Sequence, residues 1–126
     1  GWTALMIATV KGHTEAVRLL LDNSAEINAK NNNGWTALKL ATSLDDLRLM
    51  TILLARGANV NEQDFDGASP LMQAAGEGSP DNIELLLDYN ADTGAKNRNG
   101  ETALMLARRR DRADAVRLLI QAGARE

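Results

Sequence analysis

Gly34-Trp35-Thr36-Ala37-Leu38-Lys39-Leu40-Ala41 is the stretch that decides the fold, because it recurs. Its glycine returns as Gly1, Gly67 and Gly100, spaced by 33 residues each time. Leu5, Leu38, Leu71 and Leu104 hold the fifth place of each copy, and Ala8, Ala41, Ala74 and Ala107 the eighth. Further on come Leu20, Leu53, Leu86 and Leu119, then Ala25, Ala58, Ala91 and Ala124. Near-matches fill the gaps, as in Val17, Met50, Ile83 and Val116. A fixed period of this length, kept without a gap, marks a chain built by stacking one unit on itself.

Each copy holds two helical patterns. The first runs from a hydroxyl residue through Leu to Ala, as in Thr3-Ala4-Leu5-Met6-Ile7-Ala8. Thr3, Thr36, Ser69 and Thr102 stand where an N-cap oxygen takes up an orphan helix amide. The second, Ala16-Val17-Arg18-Leu19-Leu20-Leu21, spaces apolar residues three and four apart and so lines one face. Ser79-Pro80-Asp81 offers it a proline at the first helical position and an acid in the first turn. Asp45-Asp46 and Asp111 offer carboxylate caps. The second helix is expected to end at Ser24, Gly57, Asn90 and Gly123 in left-handed backbone, with Ser24 the poorest fit. Asn31-Asn32-Asn33-Gly34 and Asp64-Phe65-Asp66-Gly67 read as tight turns.

Helices of about eight to ten residues do not hold alone, since isolated helices below ~12 residues are marginal in water. Laid against their own copies, they bury a continuous face. Composition agrees: 126 residues, 44% hydrophobic and 25% charged, suffice for one globular domain. Aromatics are only 3%, so the core is built from Ala, Leu, Ile, Val and Met, and alanine lets helices approach closely. The expected fold is all-α, one domain over residues 1–126 with repeats 1–33, 34–66, 67–99 and 100–126. The column of Thr9, Thr42 and Ala75 becomes Arg108 in the last copy, a charge costly to bury under a further repeat. That copy reads as a polar closing repeat, and the first, which lacks a preceding turn, as cut from a longer array.

With G-x-T-A-L-x-x-A opening a copy and L-L-x-x-G-A closing it, as in Leu53-Leu54-Ala55-Arg56-Gly57-Ala58-Asn59-Val60-Asn61, the chain resembles the ankyrin repeat family over essentially its whole length. The family's T-P-L-H keeps its proline only at Pro70, and Met6, Lys39, Met72 and Met105 replace its histidine. The family's hydrogen bonds from that histidine are therefore expected to be missing. The G-H before the second helix survives only as Gly12-His13.

The resemblance implies a non-catalytic module that binds another protein through a concave face of turn tips and first helices. By position, the turns contribute Lys30, Asn32, Asn33 and Trp35; then Gln63, Phe65, Asp66 and Ala68; then Lys96, Arg98, Asn99 and Glu101. The first helices contribute Val10 and Lys11, Ser43 and Leu44, Glu77, and Arg109 and Arg110. Trp2 and Trp35 directly follow the repeat glycine and Phe65 lies two before it, outside the apolar columns, where aromatics serve as interface anchors or cover neighbouring turns. These positions differ most between copies, while the core columns hardly vary. Two rivals stand beside this reading. One is an engineered or isolated scaffold fragment with no natural partner, against which the irregular Ser24, Asp45 and Tyr89-Asn90 count. The other is an enzyme with a site shared between repeats.

Parts for chemistry are scarce. With no cysteine and the single His13, thiolate sites, multi-histidine metal sites and most triads are excluded, and His13 reads as structural. Glu62-Gln63-Asp64-Phe65-Asp66-Gly67 imitates the start of a calcium loop, but Gln73 stands where the closing acid belongs, so a turn is expected. Gly76-Glu77-Gly78-Ser79 lacks the lysine of a phosphate loop. No cofactor, metal or enzymatic activity is expected. No apolar run reaches the ~18 residues of a membrane span. Net charge is −3, and Arg108-Arg109-Arg110 with Arg112 lacks interleaved aromatics, so no nucleic acid is expected. The absence of cysteine and of N-x-S/T sequons favours an intracellular protein, and a monomer is expected.

Charge is unevenly placed. From Gly57 through Ala95 there are eight acids and no Lys or Arg, whereas from Lys96 onward eight bases face four acids. The acidic third repeat reads either as a patch that steers a basic partner or as a solvated surface.

Overall fold

The computed structural model describes residues 1–125. Its helices are α1 (Ala4–Val10), α2 (Thr14–Asp22), α3 (Ala37–Ser43), α4 (Leu47–Ala55), α5 (Pro70–Glu77), α6 (Pro80–Asp88), α7 (Ala103–Arg109) and α8 (Ala113–Gln121). They form four consecutive pairs, and no strand occurs among the described residues. Thr3, Thr36, Ser69 and Thr102 sit in extended backbone just before the first helices. Their hydroxyls accept hydrogen bonds from the amides of Met6, Lys39, Met72 and Met105 at 3.2 to 3.3 Å. Caps of this kind contribute about 1 kcal/mol each. In the first copy the Thr3 amide donates back to Met6 Sδ at 3.5 Å, closing a capping box.

The second helices start less uniformly. Pro80 occupies the first turn of α6 with Asp81 beside it, as the sequence indicates. Asp46 caps α4, its Oδ1 accepting from the Leu49 amide at 3.1 Å. Asp45 and Asp111 do not cap. They adopt φ of 57° and 56°, in the column where Gly12 and Gly78 have 69° and 75°. The link between paired helices needs a left-handed residue there, which a short polar side chain tolerates. The helix α8 begins after Arg112 with no side-chain cap. Ser24 and Asn90 are left-handed, at φ of 66° and 63°, alongside Gly57 and Gly123, so Ser24 takes the expected conformation despite its side chain.

The first helices stack in chain order α1, α3, α5, α7, and among the second helices α4 packs against α6 and α6 against α8. Successive first helices touch more extensively than successive second helices, an asymmetry that curves a solenoid toward its first-helix row. Burial follows the presence of a neighbour. Leu53, Leu86 and Leu119 are fully buried, whereas Leu20, in the same column of the first copy, is partly open. Met6, Lys39 and Met72 lie beneath the following copy at 1 to 3% exposure, while Met105 in the last copy is 39% exposed. Thr9, Thr42 and Ala75 are buried and Arg108 is exposed. Burying a leucine contributes about 1.5–3 kcal/mol, so the neighbouring copies add substantially to the stability of each pair.

Two of the repeat glycines are also pinched between copies. At Gly67 (φ 79°) an added Cβ would fall 2.9 Å from the Asn97 Cα, and at Gly34 (φ 79°) 2.8 Å from the Phe65 backbone nitrogen. A side chain there would be strained by its backbone and would strike the next turn as well.

Candidate functional site

The turns are built alike and tied together. Asn31, Asp64 and Asn97 stand 33 residues apart, and each Oδ1 accepts two backbone amides of its own turn at 2.9 to 3.0 Å. Each residue's amide in turn donates to the carbonyl four residues on. Adjacent tips are then joined. The Phe65 amide donates to the Asn33 carbonyl at 3.2 Å and the Arg98 amide to the Asp66 carbonyl at 2.9 Å. Lys30 Nζ donates to the Gln63 carbonyl at 3.1 Å, and Gln63 Nε2 to the Gly67 and Lys96 carbonyls at 2.8 and 3.0 Å. The result is a continuous ridge of turns held at a fixed spacing beside the first-helix row.

Between the second and third copies this ridge contains a buried ion pair that the sequence did not reveal. Lys39 Nζ donates to Asp64 Oδ2 at 2.9 Å and to the Ala68 carbonyl at 3.2 Å, and lies 4.9 Å from the centre of the Trp35 ring. Both charged side chains are buried, at 2 and 6% exposure. Burial would raise the Asp64 carboxyl, but the hydrogen bond from Lys39, those from the Ala68 and Asp66 amides and the lysine charge outweigh it and hold the group below its ordinary value. The loss of hydrogen bonding expected from replacing the motif histidine is thus made good at Lys39, which bonds directly to the following turn. At Met6 the sulfur takes up the cap amide instead. In the calcium-like stretch both Asp64 oxygens are engaged within the protein. His13 is exposed and makes no capping bond. Among the described residues, no group of three His, Asp or Glu is placed to hold a metal ion, and no helix is long and apolar enough to cross a membrane.

The positions assigned to a partner fall on the turns and on the last turns of the first helices. Phe65, Trp2, Leu44 and Val10 are exposed apolar side chains, with Phe65, Trp2 and Leu44 more than half open. Lys11, Asn32, Asn33, Asp66, Lys96, Arg98, Arg109 and Arg110 are exposed. Trp35 and Ser43 are half-buried, the indole by packing beside Lys39 and the serine with its hydroxyl donating to the Leu40 carbonyl. Lys30 and Gln63 are struts between turns. Glu101 bonds Asn97 Nδ2 at 3.1 Å and pairs with Arg109. The Asn97 hydrogen bond, against some burial and with the Arg109 charge, lowers its carboxyl below the usual value.

The acids of the stretch from Gly57 to Ala95 do not form one patch. Asp64 is buried against Lys39, Glu62 lies 3.9 Å from Lys30, and Glu77 accepts from Gln73. Asp81, Glu84 and Asp88 line the exposed side of α6, in the other row.

A stack of helix pairs on a 33-residue period, joined by such turns, is the architecture of a repeat solenoid. A family model described as ankyrin repeats (three copies) matches residues 1–64 and again residues 45–126. The chain belongs to the ankyrin repeat family, and the eight helices of its described residues form four pairs. None of the curated proteins compared with the chain matches it. Ankyrin repeats are in general protein–protein interaction modules and typically non-catalytic.

Proposed function

We propose that this chain binds a partner protein through the face made by its turn tips and first helices. The observation that carries this reading is the contrast between columns. Core columns are identical or nearly so in all four copies, whereas the columns Lys11, Leu44, Glu77, Arg110 and Val10, Ser43, Gly76, Arg109 differ in every copy. Packing does not set these side chains, and they stand on a rigid ridge beside exposed Phe65 and Leu44. Large apolar groups held open on a fixed scaffold are suited to anchor an interface. A partner that is basic throughout is not favoured, because the third copy's acids are divided between the two helix rows.

Capture of partners from cell extract by immobilised chain tests the assignment. The Leu44→Ser/Phe65→Ser variant is expected to lose the captured protein while melting like the wild type. Ile120→Ser, an equally exposed change on α8, is expected to keep it. Equal capture by both variants would move the binding surface off this face and leave the fold untouched.

A further inference from the structure

The two charge signs of the chain meet over an apolar floor in the groove between α5 and α7. Met72, Gln73, Gly76 and Glu77 from α5, Leu106 from α7, and Ala68 line the groove, with Arg110 on the α7 side reaching over Gly76, around a cavity of about 190 Å³. Since a ~150 Å³ apolar cavity accepts a benzene-sized group, there is room for one aliphatic side chain. The groove exists because two columns are small together only in the third copy. Ala68 stands where the other copies have Trp2, Trp35 and Glu101, and Gly76 where they have Val10, Ser43 and Arg109.

The fold does not require Gly76. Its backbone is not left-handed, and an added Cβ would meet nothing nearer than Arg110 Nη1 at 3.7 Å, an ordinary contact. A larger side chain there would instead fill the groove and lift the guanidinium that lies across it. The walls carry defined charges. Glu77 is fixed by the hydrogen bond from Gln73 Nε2. No described carboxylate lies within ion-pair distance of Arg110, although the adjoining repeat is the acidic one.

Resting on the partner-binding reading above, we propose that this groove receives an aliphatic side chain from an extended partner segment, with a basic residue of that segment set against Glu77 and an acidic one against Arg110. A segment of one sign gains at one wall and is repelled at the other, so complementarity selects a segment carrying both. In an extended chain, residues two apart project to the same side, so basic–x–aliphatic–x–acidic is the matching pattern.

Fluorescence anisotropy with labelled peptides whose ends are blocked tests this. The probes are Lys-Gly-Leu-Gly-Glu and its reverse, with Lys-Gly-Leu-Gly-Lys, Glu-Gly-Leu-Gly-Glu and a Ser-centred version as comparisons. One of the two mixed-sign orientations is expected to bind at least fivefold more tightly than either single-sign peptide and than the Ser-centred one. Arg110→Gln is expected to weaken it about tenfold, the effect of one lost charge-assisted contact. Gly76→Leu is expected to abolish it, while Gly76→Ala melts no lower than the wild type. Binding of no probe, equal binding of the single-sign probes, or undiminished binding to folded Gly76→Leu and to Arg110→Gln would overturn the proposal. If Leu44→Ser/Phe65→Ser loses partner capture while Gly76→Leu and Arg110→Gln retain it, the face stands and the groove falls. If all of these variants retain capture, both fall.

Discussion

The junction between the second and third repeats and the junctions on either side of it solve one problem with different chemistry. At the flanking junctions the position beneath the next copy and the anchor of the following turn are Met6 with Asn31 and Met72 with Asn97; at the middle one they are Lys39 with Asp64. All three anchors hold their own turn with the same two hydrogen bonds through Oδ1. What differs is the remaining atom of the side chain. Asp64 Oδ2 accepts from Lys39, an interaction that an asparagine amide nitrogen facing an ammonium could not make. The pair adds a direct bond across the junction, yet both ions leave water to form it, so its net gain over an apolar pair is small. The two residues thus depend on each other more than the fold depends on either chemistry.

The largest effect is expected from breaking that dependence. Lys39→Met alone leaves the buried Asp64 without a cation and should cost about 3–5 kcal/mol, read from the urea midpoint at neutral pH. Acid acts on the same bond. Because the folded-state value of Asp64 is lowered, its contribution is fully present above the ordinary carboxylate range, about pH 4, and is lost as pH falls through the folded-state value. Urea midpoints taken from pH 7 to pH 3 should therefore drop more steeply below about pH 4 in the wild type than in Lys39→Met/Asp64→Asn. The smallest change should come from moving the pair. Met72→Lys/Asn97→Asp installs it between the third and fourth copies and should alter stability by no more than about 1 kcal/mol. A loss well beyond that would mean that the middle junction is shaped for its ions in ways the other is not.

Most of the fold was legible because the physics that stabilises it is periodic. The columns of Leu38 and Ala41 announced the helix faces, Thr36 and its counterparts announced the caps, and Gly57 and Gly123 the helix ends. Asp45 and Asp111 look like caps in the sequence, because a carboxylate before a helix resembles one. Only the backbone shows that this column turns left-handed and that the cap, where there is one, lies a residue later. The Lys39–Asp64 bond was hidden for another reason. Its partners are 25 residues apart in the sequence, and a lysine within a helix is normally a surface residue. The recurring Asn31, Asp64 and Asn97 carried a hint of it, since the one acid among three matched anchors invites a search for a cation. On the partner face, sequence position placed the side chains on the turns and first helices but not their engagements. Trp35 proves to be half-buried beside Lys39, and Lys30 and Gln63 join turns, whereas Phe65 and Leu44 remain open.

The interdependence across the middle junction is tested most directly by a double-mutant cycle in urea with Lys39→Met, Asp64→Asn and the two combined. Restoring the methionine–asparagine pair of the flanking junctions should recover stability to within about 1 kcal/mol of the wild type, with a coupling of at least about 2 kcal/mol between the two sites. Single-variant losses that simply add in the combined protein would contradict the account.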